Sequence, residues 1–256
     1  MCVGFWSLTH PEYALILCAN RDEDLSRATL PAHFHSFEAL SEPASSAAND
    51  GGAAVKDDVK ARASVLSGRD VLAGGSWLGI SKPTGRVALL TNITEAGAAY
   101  ASSRGTLIAS FLADPRGRQS DSDRDIASAA AALTSSQPGD APYAGFNMLL
   151  FEPLTPPAPT PTPLTGSSPC ALAYDARWLT NGGGGGRIRA RPLSDAECAC
   201  GGISNGVDGE GGDAWPKLLQ GKAALRSILD EDSPHCGPEI TDPDSHLAGR
   251  LIELLT

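Results

Sequence analysis

No stretch of this chain is long and apolar enough to cross a bilayer. The longest clean apolar run is Tyr13 to Ala19, far short of the roughly 20 residues a transmembrane helix needs. Positive charge is scarce: 20 Lys and Arg stand against 30 Asp and Glu, a formal net charge of −10. Nucleic-acid binding needs a Lys/Arg surface to neutralise phosphates, so the balance argues against it. No basic block is present to draw the chain to anionic lipid. The opening MCVGFWSLTHPEY has no basic leader ahead of its apolar stretch, unlike a secretory signal. Six scattered cysteines without a signal favour reduced thiols over a disulfide framework. An intracellular, soluble protein is expected.

What is there reads as a single globular domain. The chain has 256 residues, 41% hydrophobic and 20% charged, ample for one buried core. Two apolar runs, Cys2 to Leu8 and Tyr13 to Ala19, flank Thr9-His10-Pro11-Glu12 and predict an antiparallel β-hairpin. A connection that brief cannot carry a parallel crossover. A second hairpin is expected from Trp77–Ser81 and Val87–Thr91 around the turn Lys82-Pro83-Thr84-Gly85. Arg104–Ala113, after Ser102 and Ser103 as N-caps, and the Ala-rich Asp123–Leu133 read as helices. Strands are expected at Phe146–Phe151, Ala171–Tyr174 and Ile188–Pro192. Two helices close the chain, one capped by Asp213 with Pro216 in its first turn, the other started by Asp242 and Pro243. Residues 41–63, the Pro-rich 153–169 and the glycine run 181–186 read as loop insertions. Strands and helices segregated in this way predict an α+β layered fold.

Cys2 is the sharpest single residue. Removal of Met1 would leave its thiol beside a free α-amino group, whose reference pKa near 7.7–8.0 suits a general base. The alternative is a small apolar residue that begins a buried strand. Asn20, Arg21, Asp22 and Glu23 follow the strand expected to pair with that of Cys2. There they would place a cation and two carboxylates near the thiol, to orient a carboxylate or amide; otherwise they bond to the next turn. Arg21 in a cleft would need a carboxylate or carbonyl partner. Trp77 has glycines close by on both sides, which permit close approach of a ligand or a strand. Asn92 and Asn205 are candidate donors to the same cleft, with Leu78, Phe146 and Met148 as apolar lining.

Metal chemistry finds little support. Cys198-Ala199-Cys200 has no second close pair to complete a tetrahedral set, and His235-Cys236 is remote in sequence. There is no C-x-x-C-H attachment motif for haem. The five histidines are scattered, with His33 and His35 expected in a loop.

Taken in order, the opening MC and the segments LILCANRDE, GGSWLGIS, VALLTN, SRGTLIASFL, YAGFN, GISNG and WPKLLQGK resemble the NRDE family of transport and Golgi organisation proteins. The resemblance runs from Met1 to about Leu255. It implies a fold similar to N-terminal-nucleophile hydrolases, two antiparallel sheets between helical layers. It also implies a role in Golgi organisation and protein secretion, in lipid and acyl-CoA homeostasis, or in haem transport. Family members continue into a further strand after the last helix, so a C-terminal strand is expected to be missing here. Cysteine amidases of the bile-salt and penicillin V acylase type are similar in Cys2 and in Leu90-Thr91-Asn92. They separate their Arg and Asp by two residues, whereas Arg21 and Asp22 are adjacent.

The reading that results is a cytoplasmic protein handling a small amphipathic ligand, haem first and acyl-CoA or lipid second. It needs no resident cofactor or metal and touches Golgi or mitochondrial surfaces transiently. The alternative is a hydrolase of C–N amide bonds that uses Cys2 as nucleophile. A purely structural partner-binding domain is the third class.

Overall fold

The computed structural model describes residues 2–37, 64–97, 99–100, 102–114, 126–135, 143–154, 172–231 and 242–255. Ten strands form two sheets, antiparallel throughout. The smaller holds β1 (Val3–Ser7), β2 (Ile16–Asn20) and β10 (Gly201–Ile203), in the order β10-β1-β2. The larger runs in sequence order through β3 (Thr29–His35), β4 (Val65–Asp70), β5 (Leu78–Ser81), β6 (Val87–Asn92), β7 (Phe146–Pro153), β8 (Tyr174–Thr180) and β9 (Arg189–Pro192). The helices are α1 (Gly105–Ala113), α2 (Ile126–Ser135), α3 (Asp195–Ala199), α4 (Pro216–Glu231) and α5 (Pro243–Leu254). This is the expected α+β layered arrangement.

Alternation along the strands sorts the core into three layers of side chains. On one face of the large sheet Ala88, Leu90, Met148 and Leu150 meet Leu107, Ile108 and Phe111 of α1 and Ile126 and Ala130 of α2. On the other face Val87, Leu89, Leu149 and Phe151 meet Trp6 and Ile203 of the small sheet. The far side of the small sheet presents Phe5, Ile16 and Cys18 to Leu218 and Leu225 of α4 and to Leu247 and Leu251 of α5. The order is therefore helices, large sheet, small sheet, helices. Each large apolar side chain so buried contributes about 1.5–3 kcal/mol. Glycine permits the closest contacts: a Cβ at Gly221 would lie 1.9 Å from Phe5 Cζ, so the helix can press directly on the ring.

Both predicted hairpins form. Val3 pairs with Asn20 and Ser7 with Ile16, and Leu78 pairs with Leu89 across the Lys82–Gly85 turn. The second strand of the first hairpin begins at Ile16 rather than Tyr13, because Tyr13 turns away to hydrogen-bond Asp244 of α5.

Other expectations are corrected. His33 and His35 lie on the edge strand β3, not in a loop; Pro31 interrupts that strand at a register shift between Leu30 and His33. The strand expected at Ala171–Tyr174 runs over Tyr174–Thr180 instead, where Trp178 and Leu179 reach the core. Arg104, not Ser102 or Ser103, occupies the N-cap of α1 and makes no side-chain cap bond. Asp213 sits in a short 3-10 turn, Gly212–Ala214, ahead of α4. Asp242 does cap α5, accepting from Ser245 N–H at 3.2 Å. The proposed insertions at 41–63 and, from residue 155 on, 153–169 lie outside the described residues.

Candidate functional site

Chain order brings the first strand, the end of β2 and the end of β6 to one edge of the layers. There a cleft of about 220 Å³ opens, lined by Cys2, Arg21, Asp22, Glu23, Trp77 and Asn92, among others. Six of the eight residues singled out from sequence thus share one cavity. The other two lie behind it. Asn20 accepts a hydrogen bond from Val3 N–H at 2.8 Å and so locks the ends of β1 and β2. Asn205 donates from Nδ2 to the Asn92 carbonyl at 2.6 Å and accepts Thr94 N–H at its own carbonyl. Ser204 Oγ donates to the Cys2 carbonyl at 2.7 Å, tying the start of the chain to β10.

The expected apolar lining is a correction. Phe146 and Met148 are fully buried between the large sheet and α1/α2, and Leu78 packs between the sheets. On a strand whose two faces are both covered, side chains reach a packed layer and not an open cleft.

Arg21 is the organising side chain. Its guanidinium stacks over the Trp77 ring, 4.0 Å from the centroid, a geometry that favours arginine over lysine. It also reaches Glu23 at 3.3 Å, Asp70 at 3.9 Å and Thr29 Oγ1 at 3.4 Å. Asp70 is held from the other side by Arg27 at 2.6 Å. Burial works against the Asp70 carboxylate, but bonds from Ala73 N–H and Arg27 outweigh it and keep its pKa below the ordinary value.

Cys2 sits just ahead of β1 with its thiol partly buried. Burial raises its pKa and Glu23 adds to the rise, against the opposing pull of the N-terminal charge first and of Arg21 and Lys217 after it. The sulfur meets the backbone of Asp22, accepting N–H at 3.4 Å and donating to the carbonyl at 3.7 Å. Among the described residues no histidine lines the cleft.

Several cleft residues escaped the sequence reading. Arg27 comes from the loop after β2 and Asp70 from the end of β4, and only the fold joins them. Arg104 lines the cleft from the N-terminus of α1 and donates to Gly145 O at 3.0 Å. A cation at that helix end opposes the macrodipole; this unfavourable placement was the one signal that could have marked Arg104 for binding. Gly75 and Gly105 let the Asp70–Trp77 turn press against the start of α1: a Cβ at Gly75 would stand 2.5 Å from the Gly105 carbonyl carbon. Lys217, within the WPKLLQGK segment, sits 5.2 Å from the Trp215 ring centroid, and its Nζ finds no hydrogen bond among the described residues. Burial pulls its pKa down.

Exposed aliphatic residues stand next in sequence to residues that line the cleft. Leu25 is fully exposed on the loop that follows Glu23, and Leu72 is 80% exposed on the turn that follows Asp70. Val71, 41% exposed, donates its N–H to Ala28 O at 3.0 Å, and the Arg27–Asp70 pair joins the same two segments. Three aliphatic side chains therefore stand in solvent beside a charged cavity.

No group of three or more His, Cys, Asp or Glu suited to a metal ion occurs among the described residues, and no described helix is long and apolar enough to cross a membrane. No curated protein and no solved structure matches the chain. The family model described as Transport and Golgi organisation 2 matches residues 1–256. With that match over the whole length and the opening motifs assembled in one cleft, the chain belongs to the Transport and Golgi organisation 2 family.

Proposed function

We propose that this protein binds and passes on a small amphipathic ligand without cleaving it. The observation that carries this reading is the pairing of an arginine-bearing cleft with exposed aliphatic side chains on the segments that carry its lining residues. Arg21 and Arg104 offer charge-assisted bonds to an anionic head group, while Leu25, Val71 and Leu72 offer an apolar seat for the body. At about 220 Å³ the cleft is smaller than the roughly 300–1,000 Å³ of sites that engulf a drug-sized molecule. It accommodates a carboxylate or phosphate, and the rest of the ligand lies outside. Haem, with its carboxylates on a flat apolar body, fits that division first, as cargo. Acyl-CoA and fatty acids fit it second. A role in Golgi organisation and secretion, at organelle surfaces touched transiently from the cytoplasm, is the cellular output we infer from the family.

The hydrolase alternative asks more of the site. An amidase needs a nucleophile, a base and oxyanion donors aligned at once. Here the thiol is engaged with the Asp22 backbone at 3.4 and 3.7 Å, and Arg21 and Asp22 are adjacent rather than two residues apart, which favours the binding reading. The deciding experiment is titration of haem and of a long-chain acyl-CoA into the protein, read by tryptophan fluorescence. We expect saturable binding of at least one, weakened by about 1–3 kcal/mol in Arg21→Ala. Absence of binding by both, or affinity indifferent to Arg21, would contradict the proposal.

A further inference from the structure

Among the described residues, the Cys2 cleft is lined by three arginines, Arg21, Arg27 and Arg104, and by three carboxylates, Asp22, Glu23 and Asp70. Two of those carboxylates reach Arg21, and they are held very differently. Asp70 is anchored. Arg27 bonds it at 2.6 Å, and its Oδ1 accepts Leu72 N–H at 3.0 Å and Ala73 N–H at 2.9 Å. Its side chain is 13% exposed and stands 3.9 Å from Arg21.

Glu23 is loosely held by comparison. Its Oε2 meets Arg21 Nη2 at 3.3 Å, its Oε1 accepts Asp24 N–H at 3.2 Å, and its side chain is 34% exposed. An ion pair of that length and exposure holds weakly. Arg21 itself has few directions left. Nη1 donates to Thr29 Oγ1 at 3.4 Å, and one face of the guanidinium covers the Trp77 ring. An anion that approaches Nη2 therefore meets Glu23 already there. The same Glu23 oxygen lies 3.9 Å from Arg27 Nε, so leaving Arg21 does not strand its charge.

We propose that Glu23 is an internal competitor for the ligand's anionic group: it holds Arg21 until a carboxylate or phosphate of the ligand displaces it toward Arg27. The inference rests on the reading of this cleft as the seat of an anionic head group. Exchange of one anion for another leaves Arg21 paired before and after binding. Affinity for the head group is thereby held down, which eases the release that handing on a cargo requires. A neutral ligand cannot replace the ion pair, so Glu23 also works against neutral ligands.

The test uses Cys2 as a reporter and makes no assumption about the natural ligand. Iodoacetate and iodoacetamide alkylate the same thiolate: sulfur attacks the methylene carbon and iodide leaves. The reagents differ only in a carboxylate against an amide. The ratio of their rates, read at the Cys2 peptide by mass spectrometry on the full chain, cancels any change in thiolate fraction. Glu23→Gln should raise the iodoacetate-to-iodoacetamide ratio by about two- to fivefold. Glu23→Asp keeps the charge but is one methylene shorter, and it should raise the ratio too. Asp24→Asn, on the exposed neighbour that does not line the cleft, should leave it at the parent value. In Arg21→Ala the ratio should fall, and adding Glu23→Gln should no longer raise it. Arg21→Gln takes the same place if Arg21→Ala folds poorly.

A ratio that falls in Arg21→Ala but ignores Glu23→Gln would overturn the proposal and leave the anionic seat standing. A Glu23→Asp ratio equal to the parent's, or an equal rise with and without Arg21, would show that Glu23 acts through its charge at a distance and overturn the proposal as well. A ratio indifferent to Arg21 would overturn the proposal together with the reading it rests on.

Discussion

Arg21 shows how one side chain can join several kinds of contact at a strand end. It stacks on an aromatic ring from the β4–β5 turn, pairs with one carboxylate from the loop after β2 and one from the end of β4, and lines the cleft. Its need for a partner followed from charge and burial alone; that Trp77 is one of them did not, because their sequence separation hides the contact. Asn205 carries the clearest structural prediction at this scale. Asn205→Ala removes a 2.6 Å bond to the Asn92 carbonyl and leaves a partly buried acceptor empty, so stability should fall by about 1–2 kcal/mol in urea denaturation. His35 carries a pH prediction. Burial, with Arg69 and His33 adding to it, lowers its pKa from 6.5 to about 4. The unfolded chain therefore binds the proton more readily, and stability is lost as pH falls from about 6.5 toward 4. Thermal melts across that window should show the decline, and His35→Gln should flatten it.

At the scale of elements, legibility followed local chemistry. The Pro/Gly turn at Lys82–Gly85 and the Asp242–Pro243 helix start were readable because each is decided by a few neighbouring residues. The β3 strand was not, since Pro31 reads as a breaker and only pairing with β4 at a bulge makes it a strand. The short helix α3 had a legible signal: Ser194 and Glu197 form a capping box, an S-x-x-E pattern present in the sequence. β10 reads as a turn because two glycines open it, and only pairing with β1 and the indole of Trp6 against Gly201 give it strand form. Contact between α4 and β1 gives a test of this packing. Gly221→Ala sets a methyl group where Phe5 already stands, so the helix must shift, and destabilisation of about 1–3 kcal/mol is expected in chemical denaturation.

For the whole molecule, layering was legible in outline from the segregation of strands and helices, and the site only in part. Cys2 and the Asn20–Glu23 run were placed near one another by the first hairpin, a local inference that the structure bears out. Arg27, Asp70 and Arg104 join them through long-range packing that no window of sequence contains. The exposed leucines on the segments that carry the cleft's lining residues give a prediction that separates binding from folding. Leu25→Ser with Leu72→Ser changes two exposed residues, so the melting transition should stay within about 0.5 kcal/mol of the parent. Affinity for haem or a long-chain acyl-CoA should nevertheless fall, as fluorescence titration would read.

The central claim is that the Cys2 cleft holds its ligand without cleaving it. The most direct measurement incubates the protein, and its Cys2→Ala variant, with a long-chain N-acyl amino acid. Bound and free amide are followed by equilibrium dialysis, and any released acid by mass spectrometry, in the same samples. The account predicts binding by both proteins and release of acid by neither. Release by the parent that disappears in Cys2→Ala would contradict it and make the protein a cysteine amidase.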